Sequence, residues 1–149
     1  MLGKGEGHLE KHGGQARRSW RKLHLAVDPD TGEILASELT GNEEGDASLV
    51  GPLLDQIARP IGTVLADSAY DGEPVCRAVA AHSPAAEVII PRRSSAVPSD
   101  TAGSAPSQRD RHIQRIVERG RRGWQRDVRY GRRSLGEVGD DALQATDRP

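Results

Sequence analysis

The chain has 149 residues, 35% of them hydrophobic and 29% charged, with a formal net charge of −1. That length is one domain's worth of chain, or a piece of one, and the single cysteine, Cys76, excludes an internal disulfide and fits a reducing compartment. With no signal-peptide pattern and no apolar run near the length of a membrane span, a soluble, cytoplasmic chain without a membrane partner is expected.

Residues 21–39, "RKLHLAVDPDTGEILASEL", spell a β-hairpin: Leu23, Leu25 and Val27 alternate with His24 and Ala26, "DPDTG" is turn chemistry, and a second β-prone run starts at Glu33. Residues 45–58 then offer Asp46 as an N-cap. Leu49, Val50, Leu53, Leu54 and Ile57 form a helical stripe weakened by Gly51 and Pro52. A strand follows at 62–66, a helix over 74–82 with proline at its first position, and a strand at 86–90. Residues 91–108 are rich in Ser, Pro and Ala and read as a flexible loop. From Gln108, Ile113, Ile116 and Val117 make a narrow apolar stripe on an arginine-rich helix, and a further helical turn is expected over 133–137. The order β-β-α-β-α-β-loop-α predicts an α/β fold with a mixed sheet. With no Phe and four aromatic residues in all, the expected core is aliphatic and thin. Residues 138–149 carry no pattern that continues the last helix.

The near-zero net charge hides a segregation. Residues 28–73 hold eleven acids and one base, Arg59, whereas residues 109–133 hold ten arginines against Asp110, Glu118 and Asp127. A basic segment of this kind points to an anionic partner, most often nucleic acid; the alternative is a solvated helix face.

Three groups carry candidate chemistry. Asp67 ends the strand at 62–66, at the sheet edge where ligands gather in α/β folds; it is either a metal ligand or the cap of the next turn. Tyr130, Arg133 and Glu137 stand at spacings of three and four, so on a helix they share a face; the alternative is an Arg133–Glu137 surface pair. His8 and His12 have zinc-like spacing, but the glycines around them oppose a helix and no third ligand is evident. "GKGEG" follows no strand and makes a poor phosphate cradle.

Four collinear segments, "KHGGQARRSWRKLHLAVDPDTGEILASELT", "DQIARPIGTVLADSAYD", "VIIPRR" and "RDRHIQRIVERGRRGWQRDVRYGRRSLGE", resemble the catalytic domain of bacterial insertion-sequence transposases of the DDE type, over about residues 4–137. The resemblance implies a ribonuclease H-like mixed sheet with flanking helices. It maps the family's second catalytic Asp onto Asp67, and Tyr130, Arg133 and Glu137 onto the signature around its catalytic Glu, whose following Lys falls on Gln144 and does not match. By the same resemblance Asp67 and Glu137 would hold Mg²⁺ (or Mn²⁺), and the chemistry would be cutting of transposon ends and joining to target DNA by phosphoryl transfer. Arg133 would face a phosphate, while Arg17, Arg18, Arg21 and Lys22 and Arg119, Arg121, Arg122 and Arg126 would grip the DNA backbone. The expected place of action is the nucleoid, with full-length transposase as a further partner.

Two departures accompany the resemblance. The family's first catalytic Asp lies on the first, central strand, which maps upstream of Met1; Asp28 and Asp30 are poor substitutes because they belong to the hairpin turn. A sheet lacking that strand is expected to leave two unpaired edges, to fold marginally and to bind metal weakly. In the tail, removing one base after the Glu137 codon, with GC-rich codons assumed, gives a basic segment with Lys at the signature's spacing. The expectation is therefore a partial catalytic domain over 1–137 and an aberrant, frameshifted tail over 138–149. Its function would be DNA transposition with cutting absent in the chain itself; the alternatives are a non-catalytic DNA-binding fragment that modulates transposition and a free-standing metal-dependent nuclease.

Overall fold

The computed structural model describes residues 20–131 and 142–146. Strand β1 (Arg21–Val27) pairs antiparallel with β2 (Ile34–Gly41). The turn between them is held by local bonds: Asp28 Oδ1 accepts the Asp30 amide at 2.9 Å, the Gly32 amide donates to the Asp28 carbonyl at 2.7 Å, and Gly32 takes φ 75°. Only glycine adopts that φ at no steric cost. This is the expected hairpin, but its alternation faces the other way. His24 and Ala26 are buried, whereas Leu23 is 53% exposed beside its cross-strand partner Leu39. The His24 ring tolerates burial because its Nε2 lies 3.0 Å from Thr40 Oγ1, with Asp46 3.8 Å from Nδ1.

The segment after the hairpin splits into a 3₁₀ turn (Asp46–Leu49) and a short helix α1 (Val50–Asp55). Asp46 does not cap it: Gly45 holds the N-cap position without a side-chain bond, and the Asp46 carboxylate faces Lys22 at 3.5 Å and His24. Next come β3 (Thr63–Leu65), a 3₁₀ turn (Ser68–Tyr70), helix α2 (Glu73–His82), β4 (Glu87–Ile89), helix α3 (Gln108–Asp127) and β5 (Ala142–Thr146). Residues 91–107 form no helix or strand, but Ser99 ties them to α3 by donating its amide and hydroxyl to Asp110.

The sheet order is β2-β1-β5-β3-β4. β5 runs parallel to β1 and antiparallel to β3, pairing Ala26 with Leu143 and Val64 with Ala145. This corrects the expectation of two unpaired edges: the tail itself supplies the strand between them. The driving force is elementary, since a buried edge of unpaired amides and carbonyls is costly, and in "ALQAT" the apolar Leu143 and Ala145 share one face of the strand.

That periodicity sorts the core into two layers. On one face α1 and α2 bury Val50, Leu53, Leu54, Val75 and Val79 against Ala26, Val64, Val88, Leu143 and Ala145. On the other, Leu65 and Ile89 meet Trp124 and Val128, brought by α3. The largest fully buried side chains are Trp124 and Tyr70, so two of the few aromatics anchor the core. Arginine-rich α3 is not one straight rod. Gly120, at φ 70°, breaks it, and the second arm folds back so that the rings of His112 and Trp124 sit 5.7 Å apart at 87°. Twelve residues of straight helix would separate them by about 18 Å. Of the expected apolar stripe, Ile113 is buried and Ile116 half-buried, while Val117 points to solvent. Among the described residues no helix is long and apolar enough to cross a membrane.

If β5 closes the sheet, its inward side chains are core residues. Leu143→Ala is expected to lower unfolding free energy by about 2–5 kcal/mol, and Leu23→Ala, on the open face of β1, by no more than about 0.5 kcal/mol. Urea denaturation followed by circular dichroism compares them; equal, small effects would mean that β5 does not sit in the core.

Candidate functional site

The buried strand β3 delivers the chain through Ala66 to Asp67, which leaves the core half-buried. Asp67 is the N-cap of the 3₁₀ turn Ser68–Tyr70, and its Oδ1 accepts the Ala69 amide at 2.7 Å. The capping role open to Asp67 in the sequence is thus realised, and it fixes the carboxylate at the end of β3. Tyr70 then returns to the core and is fully buried.

The turn is clamped by groups far along the chain. Asp71, its side chain buried, receives Arg92 Nη1 at 2.8 Å, Arg109 Nε at 3.2 Å and the Arg93 backbone amide at 2.9 Å. Arg93 reaches over the turn itself, donating Nε to the Ser68 carbonyl at 3.1 Å and Nη2 to the Ala69 carbonyl at 2.9 Å. From α3, Arg121 Nη2 donates to the Arg92 carbonyl at 2.7 Å. Beyond that helix, the Tyr130 hydroxyl donates to the Ala66 carbonyl at 3.3 Å. Burial of the Asp71 carboxyl pushes its pKa up, but the hydrogen bonds and charges of Arg92, the Arg93 amide and Arg109 outweigh it and hold the group below the usual carboxylate range.

Sequence reasoning singled out Asp67 and Tyr130 and passed over Asp71, Arg92, Arg93 and Arg109. The signal was present in the "YD" after Asp67 and in "PRR" after β4, but only the fold shows that these segments meet. Glu137, Arg133, Arg17 and Arg18 lie outside the described residues. Among the described residues no three His, Cys, Asp or Glu side chains group closely enough to hold a metal ion. One half-buried carboxylate does not serve a hard cation that takes about six oxygen ligands, so the described residues do not by themselves fit Mg²⁺. Asp28 gives no substitute, because the turn and Arg59, at 3.7 Å, engage it.

Several arginines of α3 are already engaged within the protein. Arg119 bonds Asp127 across the bend of α3 at 2.9 Å, Arg109 and Arg121 are engaged as above, and Arg111 donates to the Pro106 carbonyl. Arg122, Arg126 and Arg129, all exposed, instead line an open groove of about 820 Å³ with Gln125, Tyr130 and Gly131. Arg129 adopts φ 55°, a left-handed conformation that is strained for a side-chain-bearing residue. At the start of β1 Lys22 is drawn to Asp46, while Arg21 is exposed.

Two buried polar groups hold α3 in place. Asp110 closes a capping box with Ser107. The Ser99 amide chiefly, against burial, and the Ser107 amide and both serine hydroxyls hold its carboxyl well below the usual range. His112 is buried, and its Nδ1 accepts the Trp124 indole N–H at 2.8 Å. Burial, with the charges of Arg92, Arg115 and Arg111, lowers the His112 pKa to about 4. Cys76 is half-buried and packs beside the core, and burial pushes its thiol up.

Two measurements follow from these contacts. Asp71→Asn leaves Arg92 buried without its counter-charge and is expected to destabilise by about 3–5 kcal/mol, whereas Asp67→Ala, the loss of a cap, should remove about 1 kcal/mol. Chemical denaturation of both variants checks the order. For His112 the native state favours the neutral ring, so its stabilisation is complete above the ordinary histidine value of 6.5 and drains away as pH falls toward about 4. The loss should approach roughly 3 kcal/mol. His112→Asn, which keeps an acceptor for Trp124 but cannot titrate, should flatten the profile across that window; an unchanged slope would exclude His112 as its source.

No solved structure matches the chain. A family model described as the transposase DDE domain matches residues 3–137, most of the length. The mixed α/β sheet flanked by helices fits that match, and the chain belongs to the transposase DDE domain family.

Proposed function

We propose that this chain is a bacterial insertion-sequence transposase domain that holds DNA by its backbone and does not cut it unaided. The observation that carries this reading is the groove of Arg122, Arg126 and Arg129 beside Tyr130, whose hydroxyl is bonded next to Asp67. Exposed guanidinium groups set together match the geometry and charge of phosphates. In the reading that the resemblance supplies, Asp67 and Glu137 are the metal-binding carboxylates, and Arg133 and Tyr130 face the DNA. Among the described residues the centre of the sheet carries Leu143, Gln144 and Ala145 rather than a carboxylate, so the neighbouring strand brings no second carboxylate to Asp67. Occlusion of DNA from a full-length transposase is the activity that such a backbone binder supports.

A fluorescence-anisotropy titration of duplex DNA at several salt concentrations tests this. If three to four arginines engage phosphates, log K against log[salt] should fall with a slope of roughly −3 to −4, with little dependence on sequence. Replacing Arg122, Arg126 and Arg129 by Gln should flatten the slope by about 2.7. Replacing Arg119 and Arg121, already engaged within the protein, should change it far less. Absence of binding at low salt, or a slope indifferent to the groove arginines, would sink the DNA reading. With Mg²⁺ present the DNA should stay intact; cutting that Asp67→Ala abolishes would overturn the non-catalytic part.

A further inference from the structure

We propose that Cys76 is an oxidation site, at which hydrogen peroxide converts the thiol to a sulfinate whose two oxygens accept the Nε and Nη2 protons of the buried Arg92. The inference is independent of the DNA-binding reading. Arg92 is 3% exposed. Its Nη1 donates to Asp71 at 2.8 Å, but Nε and Nη2, both buried, have no hydrogen-bond partner among the described residues. Those two N–H groups run parallel along one edge of the guanidinium plane, the geometry that receives two oxygens of a single anion. Buried donors on a charged group are costly to leave unmade. The charge is undersupplied as well, since Arg92 and Arg109 share one carboxylate, Asp71.

Cys76 stands beside this guanidinium. Burial raises the thiol's pKa, Arg92 acts against it by its charge and its contact with the sulfur, Arg109 adds to that pull, and exposed Glu73 opposes it. A thiol is a weak acceptor and offers one sulfur to two donors. The sulfur is also reachable: Cys76 lines a cavity of about 180 Å³ between α2 and the start of α3, with Glu73, Arg77, Ala80, Gln108 and Arg109. In the first step the sulfur attacks one peroxide oxygen, the S–O bond forms as the O–O bond breaks, and the departing hydroxide takes the thiol proton as water. A second peroxide oxidises the sulfenic acid to the sulfinic acid in the same way, again leaving water, and the sulfinic proton passes to solvent. Burial keeps the thiol protonated, so the reaction is slow and needs excess oxidant. The resulting anion ties α2 to the segment after β4, whose Arg93 spans the Asp67 turn.

The test uses the full chain and has two independent arms. Peptide mass spectrometry after treatment with excess hydrogen peroxide should find two added oxygen atoms on Cys76, and the treated chain should melt at a higher temperature than the untreated one. Cys76→Ser should show no such rise. The second arm needs no oxidant, because an aspartate at this position carries the same pair of anionic oxygens. Cys76→Asp should melt about 5 °C above the isosteric, uncharged Cys76→Asn. In an Arg92→Lys background, which keeps a charge for Asp71 but has no planar fork, that gap should close. A Cys76→Asp variant that melts no higher than Cys76→Asn would overturn the proposal, as it would if water already served the two donors. So would a lower melting temperature after peroxide, an unmodified Cys76, or a disulfide-linked dimer in place of the sulfinate.

Discussion

Two strand edges that face each other across a single strand's width organise this molecule. β1 has β2 on its outer side and β3 has β4 on its outer side, so the hydrogen-bonding groups on both inner edges must find partners in the middle of the sheet. Were that gap open, the layer formed by Ala26, Val64 and Val88 would lose its central contributors, and α1 and α2 would pack over a seam. β5 answers both demands with five residues, pairing Leu25 to Val27 on one edge and Thr63 to Leu65 on the other and adding Leu143 and Ala145 to the layer. The positions of Asp67 and the turn beyond it depend on this closure, because β3 is held on one side by β5 and on the other by β4.

The sequence made most of the elements legible, for reasons that differ from one to the next. The hairpin was visible because "DPDTG" leaves the chain few alternatives, and α2 because its proline sits where a helix begins. The orientation of the hairpin was not. Leu23 and Leu25 look like core residues by hydropathy, yet the buried face carries His24, kept there by Thr40. β5 escaped because residues 138–149 were judged against helical periodicity, while "ALQAT" alternates with the period of a strand. A five-residue alternation is too short to stand out unless a waiting pair of edges gives it meaning. Gly120 escaped for a related reason: a lone glycine in a helical run is tolerated, and only tertiary contact between His112 and Trp124 shows that it turns the chain back.

The candidate site was legible in part. Asp67 stood out as a carboxylate after a buried strand, and the structure places it there as a cap. The groups that hold its turn come from β4's exit and from the start of α3, at separations of 21 and 38 residues from Asp71. No local pattern announces pairings at that range. Arg93 in particular reads as one more exposed cation, although its guanidinium spans two carbonyls of the Asp67 turn, a geometry that a lysine could not reproduce.

Charge segregation along the chain acquires a physical meaning once these pairings are known. The acidic half and the arginine-rich half meet where Asp71 takes Arg109, and that contact joins the end of β3 to the start of α3. Such an arginine belongs to the fold: a partner that pulled it away would remove one of the three donors that compensate the buried Asp71 carboxylate. Arg119 and Arg121 are likewise committed, to Asp127 and to the Arg92 carbonyl. Among the cations an anionic partner can meet without disturbing the protein, Arg122, Arg126 and Arg129 lie together on the second arm of α3 and just beyond it. The bend at Gly120 accounts for that gathering. It turns Trp124 into the core and leaves Arg122 and Arg126 outward beside Arg129 and Tyr130. A straight helix would have sent the same residues away from the sheet, far from Asp67.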